Sequence, residues 1–251
     1  LIDELSRAIY ATDASEYQEK PLAVALPESE DDIRELIHFA AAERVGLIPR
    51  AAGTSLAGQV VGNGIVVDAG RHLNQIGSYD DACRTVRVQP GVVRDALNRF
   101  LIPHKCFFAP ETSTAAWAMI GGMVGNNSCG ANSIAYGSTR DHLRSVRGFL
   151  ADGSEVTFGP LSAAEFVAKC DSCNTAEARI YRTVRDLLGD AAIRQKIRDA
   201  FPRPEVTRRN TGYALDALLE ASCFEPASPQ PFNMCKLLAG SEGTLFFGVE
   251  F

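Results

Sequence analysis

Three segments rich in glycine and other small residues constrain the fold of this chain more than any other feature of its sequence. We call residues 49–59, 120–130 and 240–245 the first, second and third glycine segments. Small residues let a backbone approach a ligand closely, and successive N–H groups can then surround an anion. Hydroxyl and amide side chains in each segment add donors for phosphate oxygens. The fold must therefore keep three stretches of backbone accessible to a ligand. Their hydrogen-bond donors suit a pyrophosphate.

The standard nucleotide-binding motifs do not match these segments. The P-loop spacing occurs at residues 53–58 and 125–130, but no Lys follows either pair of glycines, which disfavours a nucleotide triphosphatase. The sequence G-x-G at Gly62 and Gly64 is followed by Val67, where the dinucleotide fingerprint needs a third glycine. Ordinary turns are the alternative for each segment alone, because 21 glycines in 251 residues is near average usage. The ordered combination of all three favours ligand binding.

The pattern of apolar residues predicts an α+β fold, because strands and helices mix without regular alternation. Residues 22–26 alternate as a short strand does, and Ser29 with Asp32 resembles a capping box that opens a helix. Gly46 is expected at the C-terminus of that helix. A strand at residues 47–49 would complete a β-α-β unit of about thirty residues.

The rest of the chain alternates between strand signals and long turn-rich stretches. Residues 146–150 and 155–158 are expected to form a hairpin, and residues 162–200 to be helical. Residues 110–137 are expected to be mainly loop. Residues 221–233 look like an insertion, exposed where its prolines cluster.

Charge and cysteine content argue against several classes of function. Lys and Arg total 25 against 31 Asp and Glu, and the net charge of −6 argues against nucleic acid as a partner. No apolar run approaches the ~18 residues of a transmembrane helix. We expect a cytoplasmic protein, with attachment to the inner face of the membrane as the alternative. Seven scattered cysteines predict reduced thiols. Cys170 and Cys173 have no second pair, so no metal site is expected.

Motifs along most of the chain resemble the FAD-linked oxidase family, also called the vanillyl-alcohol-oxidase or PCMH type. They follow the family's order, at residues 27–31, 50–55, 89–92, 120–123, 136–137, 151–153, 210–213 and 240–245. Within the family, the chain is most similar to the D-lactate, glycolate and D-2-hydroxyglutarate dehydrogenases, which have several domains.

The resemblance implies a PCMH-type FAD-binding domain of two α/β lobes with FAD bound between them. We expect a lead segment at residues 1–16 and the FAD-binding domain at residues 17–251. Lobe one would span about residues 17–80, and lobe two about residues 81–251. The family's C-terminal substrate domain, and the iron–sulfur domain of some members, are not expected within these residues.

The resemblance also implies a function for the chain. Members oxidise a 2-hydroxy acid by hydride transfer to FAD, so we expect the FAD-binding domain of an oxidoreductase that acts on a small hydroxy acid. The catalytic base of the family lies in the substrate domain, so no catalytic residue is expected here and this chain alone should turn over little substrate. Thr54 stands where covalently flavinylated members often carry His, so non-covalent FAD is expected.

Cofactor-binding residues are implied in the three glycine segments, just before the second segment and in one strand. They are Arg50, Ala51, Ala52, Gly53, Thr54, Ser55, Gln59, Pro110, Glu111, Thr112, Ser113, Ile120, Gly121, Gly122, Gly125, Asn126, Ser128, Val146 and Glu242. Arg140 and Asp141 follow a family motif, but they are expected only to pair with each other on the surface.

Other functions of the same fold remain open. The chain could be an FAD-binding or electron-transfer module without its own substrate turnover, or part of an alcohol or sugar-lactone oxidase. A nucleotide-sugar reductase is a further alternative, but it would also bind an NADP(H)-type donor, and no residue here requires one. The substrate domain would discriminate between these alternatives, because it carries the base and the substrate contacts.

Overall fold

Two three-stranded sheets, one parallel and one antiparallel, organise the chain. The computed structural model describes residues 1–203, 205–206, 209 and 212–251. The strands are β1 (Ala23–Ala25), β2 (Leu47–Arg50), β3 (Ile65–Asp68), β4 (Ile76–Asp80), β5 (Thr85–Val88), β6 (Val146–Phe149), β7 (Glu155–Phe158), β8 (Pro160–Leu161), β9 (Phe232–Asn233) and β10 (Phe247–Glu250). The helices are α1 (Glu4–Ile9), α2 (Glu30–Glu43), α3 (Arg94–Leu101), α4 (Ile120–Gly125), α5 (Ser133–Tyr136), α6 (Thr139–His142), α7 (Ala163–Asp171), α8 (Ala176–Gly189), α9 (Ala191–Ala200), α10 (Asp216–Leu219) and α11 (Cys235–Leu238). This mixture confirms the α+β class.

The parallel sheet contains the predicted β-α-β unit. Its order is β1-β3-β2, and α2 connects the two outer strands. The predicted capping box is confirmed, because the Ser29 hydroxyl accepts from the Asp32 N–H and the Asp32 carboxylate accepts from the Ser29 N–H. The prediction for Gly46 was wrong. The helix ends at Arg44 (φ 55°), which adopts the left-handed conformation, while the Gly46 carbonyl accepts from the N–H of Ile65 at the start of β3.

The antiparallel sheet has the order β10-β6-β7. The predicted hairpin between β6 and β7 is confirmed, with Val146 opposite Phe158 and Phe149 opposite Glu155. Gly153 in its turn has a φ of 78°, which a glycine adopts without steric cost. Residues 162–200 are mainly helical as predicted, forming α7, α8 and α9.

Three hydrophobic clusters hold the elements together. The largest packs α7 to α9 against the antiparallel sheet around Phe166 and Phe232, whose ring centroids lie 4.6 Å apart. A second cluster joins the two main sheets, because Ile33 of α2 packs with Phe149 of β6 and Val249 of β10. The third cluster lies between α3, α4 and the β4–β5 pair. The two main sheets therefore share one apolar core.

Two expectations about irregular segments can be compared with the structure. Residues 110–137 are mainly turn and loop as expected, but they also contain the short helices α4 and α5. Ile120, Met123 and Val124 are buried at helical spacing, which stabilises α4 despite its glycines. Residues 221–233 are largely exposed in the middle, but the side chains at both ends belong to the core.

An ionic cluster ties α2 to the antiparallel sheet on the surface. Arg147 of β6 donates from both terminal nitrogens to the Glu30 carboxylate, at 2.5 and 2.7 Å, and also contacts Glu155 at 3.1 Å. The bond from Arg147 lowers the pKa of Glu30, against an opposing effect of burial. A two-point contact of this kind fixes the orientation as well as the distance of the partners.

No described helix combines the length and apolar character that crossing a bilayer requires.

Candidate functional site

A cavity of about 570 Å³ lies where the three glycine segments meet. Its size falls within the range of ligand and cofactor pockets. Most of the residues implied by the resemblance line it, namely Arg50, Ala51, Ala52, Gly53, Thr54, Ser55, Gln59, Thr112, Ser113, Gly121, Gly122, Gly125, Asn126, Ser128, Val146 and Glu242. The fold thus brings together segments that are separated by up to about two hundred residues of sequence.

Three of the implied residues do not line this cavity. Ile120 is buried in the cluster between α3 and α4. The Pro110 carbonyl accepts from the Arg94 side chain at 3.2 Å. The Glu111 carboxylate accepts from the Asn132 amide at 2.7 Å, and this side chain faces a neighbouring loop. These residues support the wall from behind.

The first glycine segment contributes free backbone donors. The N–H groups of residues 51–56 donate to no acceptor in the described part of the chain, and all six residues line the cavity. Gly53 turns the segment at a φ of 65°, a conformation that favours glycine. A run of unpaired backbone N–H groups in a turn is a binding surface for an anion.

Arg50 fixes the base of this segment. Its guanidinium donates to the Thr12 carbonyl at 2.8 Å and lies over the Tyr10 ring, 5.2 Å from the ring centroid. A Cβ added to Gly53 would come within 2.5 Å of the Arg50 guanidinium, so the side chain fills the space beneath the turn. The hydroxyl of Tyr10 donates in turn to Asp68 at 2.6 Å, and burial together with this bond raises the pKa of Tyr10 to about 12.

A polar bridge connects the three glycine segments across the cavity. The Gln59 amide nitrogen lies 3.4 Å from the Asn126 side-chain oxygen and 3.3 Å from the Glu242 carboxylate. Glu242 adopts a left-handed φ of 53°, and its N–H donates to the Gly125 carbonyl at 2.9 Å. The second and third segments are thus joined by backbone as well as by side chains.

Arg140 corrects the expectation of a surface pair with Asp141. Its side chain is mostly buried and donates to the carbonyls of Lys236 and Ala239, at 2.8 and 2.7 Å. Its own N–H donates to the Asn127 side chain. Burial lowers the pKa of Arg140. Arg140 therefore fastens α11, which leads into the third glycine segment, to the end of the second.

Apolar side chains also line the cavity, and sequence reasoning missed most of them. The wall includes Met123 from α4, Leu238 from α11, and Phe246 and Phe251 at the two ends of β10, beside the implied Val146. No local pattern distinguishes these residues from ordinary core residues, because β10 alternates as any half-buried strand does. The cavity is therefore lined both by backbone with free N–H groups and by apolar and aromatic side chains.

Some expectations concern residues or chemistry away from the cavity. Asn210 and Thr211 of the family motif at residues 210–213 lie outside the described residues, whereas the Tyr213 hydroxyl lies 2.7 Å from the Thr244 hydroxyl of the third segment. All seven cysteines are free thiols. Within the described residues, no group of three or more His, Cys, Asp and Glu side chains has the placement to hold a metal ion.

A cavity lined by unpaired backbone N–H groups and by apolar and aromatic side chains suits a nucleotide cofactor. Comparison with known families identifies which kind. The chain belongs to the family described as FAD binding domain, whose model matches residues 21–159. The predicted relationship to the FAD-linked oxidases is thereby confirmed.

Relatives with known names agree with this assignment. The chain is 38% identical over 247 residues to the D-2-hydroxyglutarate dehydrogenase of Escherichia coli K12, covering 97% of this chain and 23% of that protein. It is 36% identical to the Pseudomonas putida enzyme of the same name, covering 99% and 24%. A glycolate oxidase subunit of Bacillus subtilis is 34% identical over 61% of this chain and 33% of its own length. The chain thus spans about a quarter of the length of the dehydrogenases it matches.

The fold has a counterpart among solved structures. An alkyldihydroxyacetonephosphate synthase superposes with a TM-score of 0.56 at 20% identity, over 62% of this chain and 34% of the synthase. At this identity the likeness concerns the fold alone.

Proposed function

We propose that this chain is the FAD-binding domain of a flavin-dependent oxidoreductase that oxidises a 2-hydroxy acid. The observation that carries the proposal is the row of free backbone N–H groups at residues 51–56, in one cavity that apolar and aromatic side chains also line. FAD combines a charged pyrophosphate with two flat aromatic ends. The residues present therefore fit both parts of the cofactor.

The site residues divide by chemistry. The backbone of residues 51–56 would hold the pyrophosphate, since Arg50 is the only Lys or Arg among the described residues that line the cavity. Gln59, Asn126 and Glu242 offer amide and carboxylate groups for the polar middle of the cofactor. Val146 and Phe246 would pack against an aromatic end. Thr54 offers no ring nitrogen for a covalent link, so the cofactor would be held without a bond to protein.

The proposed substrate class comes from the relatives. Two of them are named for oxidation of D-2-hydroxyglutarate and one for glycolate, and both compounds are 2-hydroxy acids. Bound FAD would supply the two-electron acceptor for converting the hydroxyl carbon to a carbonyl. The described part of the cavity wall contains no His, Lys or Tyr side chain to act as a general base, and its one carboxylate, Glu242, contacts the Gln59 amide.

We propose that the substrate contacts and the base belong to a further domain of the full-length protein, together with any iron–sulfur domain. The support is the length of the matched dehydrogenases, of which this chain covers 23–24%. We propose a cytoplasmic location on the basis of the seven free thiols, which are typical of a reducing compartment.

The test is a fluorescence titration of the purified chain with FAD, followed by gel filtration and acid precipitation. Flavin should comigrate with the protein and then remain in the acid supernatant. Flavin in the pellet would contradict the non-covalent assignment. An absence of binding at micromolar excess would contradict the domain's proposed function.

A matched pair of substitutions tests the location of the site. Gly122→Leu adds a side chain to the cavity, since even a Cβ at Gly122 would lie 3.2 Å from the Ala51 Cβ. Gly189→Leu makes the same change at the end of α8, where nothing lies within 4 Å of an added Cβ. We expect the first variant to lose FAD binding and the second to keep it. Equal binding by both would place the cofactor elsewhere.

A further inference from the structure

A short loop before the matched family region contacts the first glycine segment at several points. We call residues 12–18 the anchor loop. It is closed at its base by the pairing of Thr12 with Gln18 and by the bond from the Glu19 N–H to the Ala11 carbonyl at 3.0 Å. The family model matches residues 21–159, so this loop lies outside the region that defines the cofactor domain.

Three hydrogen bonds join the anchor loop to the first segment. The Ser55 hydroxyl donates to the Asp13 carboxylate at 2.6 Å. The Ala14 N–H donates to the Gly53 carbonyl at 3.2 Å, and the Arg50 guanidinium donates to the Thr12 carbonyl. The bonds involve Arg50, Gly53 and Ser55. They therefore contact the run of free N–H groups just before its start, at its turn and near its end.

We propose that Asp13 is a positioning residue for FAD, which holds the first glycine segment in its binding conformation through the Ser55 hydroxyl. The inference rests on the proposed function and adds to it a loop that lies before the residues matched by the family model. It also changes the role of Ser55. Because this hydroxyl donates to Asp13, its proton is committed to the anchor loop and the segment's backbone is left to donate to the cofactor.

Asp13 is suited to this task by its own contacts. Its second carboxylate oxygen accepts from the Ser15 N–H at 2.8 Å, which fixes the carboxylate within the loop. Burial acts to raise the pKa of Asp13, but the bonds from Ser15 and Ser55 and the nearby Arg50 charge together lower it. The group is therefore ionised at neutral pH, and a carboxylate can only accept. This imposes the donor role on the Ser55 hydroxyl.

The anchor loop also limits the shape of the far end of the segment. Gly58 has a φ of 76° and packs against the Tyr17 ring, where an added Cβ would come within 2.8 Å of a ring carbon. The loop thus contacts the segment beyond Ser55 as well as before it. Without the anchor loop, the backbone of residues 51–56 would lose contacts that fix its conformation. These are the residues whose N–H groups have no partner within the described protein.

The test compares Asp13→Ala with Asp3→Ala in the full chain. Asp3 caps α1 by accepting from the Ser6 N–H at 2.9 Å, so the two variants lose the same kind of side chain, but only one contacts the segment. We expect Asp13→Ala to weaken FAD binding about tenfold, the size of effect typical of one charged hydrogen bond. Asp3→Ala should bind FAD as the unchanged chain does.

Two further readouts separate positioning from a general loss of stability. Asp13→Asn keeps one oxygen to accept from the Ser15 N–H and offers its NH2 group to the Ser55 hydroxyl oxygen, so it should recover part of the affinity. Ser55→Ala should weaken binding as Asp13→Ala does, and the double variant should be no weaker than either, because both changes remove one contact. Hydrogen exchange without FAD should be faster at the Ala14 amide, which donates to the Gly53 carbonyl, in Asp13→Ala and unchanged in Asp3→Ala.

The outcomes distinguish the two proposals. Binding by the unchanged chain with equal affinity in Asp13→Ala would overturn the role of Asp13 and leave the proposed function standing. Equal losses in Asp13→Ala and Asp3→Ala, or additive losses for Asp13 and Ser55, would also overturn it. Failure of the unchanged chain to bind FAD would overturn both.

Discussion

Gly121 and Gly125 of α4 both line the cavity, and substitutions at these two positions test how α4 packs against its neighbours. A Cβ added to Gly121 would lie 2.6 Å from the Pro90 Cβ and 3.0 Å from its Cα. A Cβ added to Gly125 would meet nothing closer than the Glu242 Cα at 3.9 Å, which is ordinary van der Waals contact. Neither glycine has a positive φ, so alanine fits the backbone at both positions.

The expected difference follows from these distances. Alanine in place of glycine in a helix stabilises by about 0.5–1 kcal/mol, and the gain is at the lower end near a helix terminus. Crowding of a packed contact costs about 1–3 kcal/mol. We therefore expect Gly125→Ala to stabilise the chain by about 0.5 kcal/mol and Gly121→Ala to destabilise it by about 1–2 kcal/mol.

Thermal and urea unfolding would measure the two variants side by side. For a chain of this size, about 2 kcal/mol between them corresponds to a gap in Tm of about 4–8 °C, with Gly121→Ala the lower. The same variant should bind FAD more weakly, because α4 must move away from Pro90. If both variants were stabilised alike, the close approach of α4 to the strand end would be refuted.

Three further predictions concern contacts away from α4. Glu30 has a lowered pKa through its bond with Arg147, so its contribution is present at neutral pH and is lost as the pH falls through its folded pKa. Urea unfolding across pH should therefore show that Glu30→Gln costs about 1 kcal/mol at pH 7 and progressively less as the carboxylate is protonated in acid; a constant difference would contradict the ion pair. Phe232→Ala, in the fully buried aromatic cluster, should cost about 3–5 kcal/mol, and a loss below 1 kcal/mol would contradict its burial. Arg140→Met should raise amide exchange in residues 235–242 because two carbonyl contacts are lost, and exchange equal to that of the unchanged chain would show that these bonds do not hold the segment.

The elements predicted correctly are those with a local physical cause. The capping box at Ser29 depends on residues three apart, and the β6–β7 hairpin depends on the turn that contains Gly153. The family resemblance located the three glycine segments, and the fold brings most of their implied residues to one cavity. Local sequence signals failed where more than one nearby residue could end a helix. Arg44, and not Gly46, adopts the left-handed conformation at the end of α2. Arginine has no β-branch or ring next to the backbone, so its steric cost there is small.

The parts of the site that could not be predicted depend on contacts between distant residues. Arg140 is read from sequence as half of a surface pair with Asp141, yet its function is set by carbonyls almost a hundred residues away. Asp13 precedes the family match and has no motif of its own, but the folded chain places it 2.6 Å from a hydroxyl of the first glycine segment. A glycine segment is flexible by composition, so the residues that fix its shape must come from elsewhere in the chain. The site is therefore defined as much by the residues that hold the glycine segments as by the segments themselves.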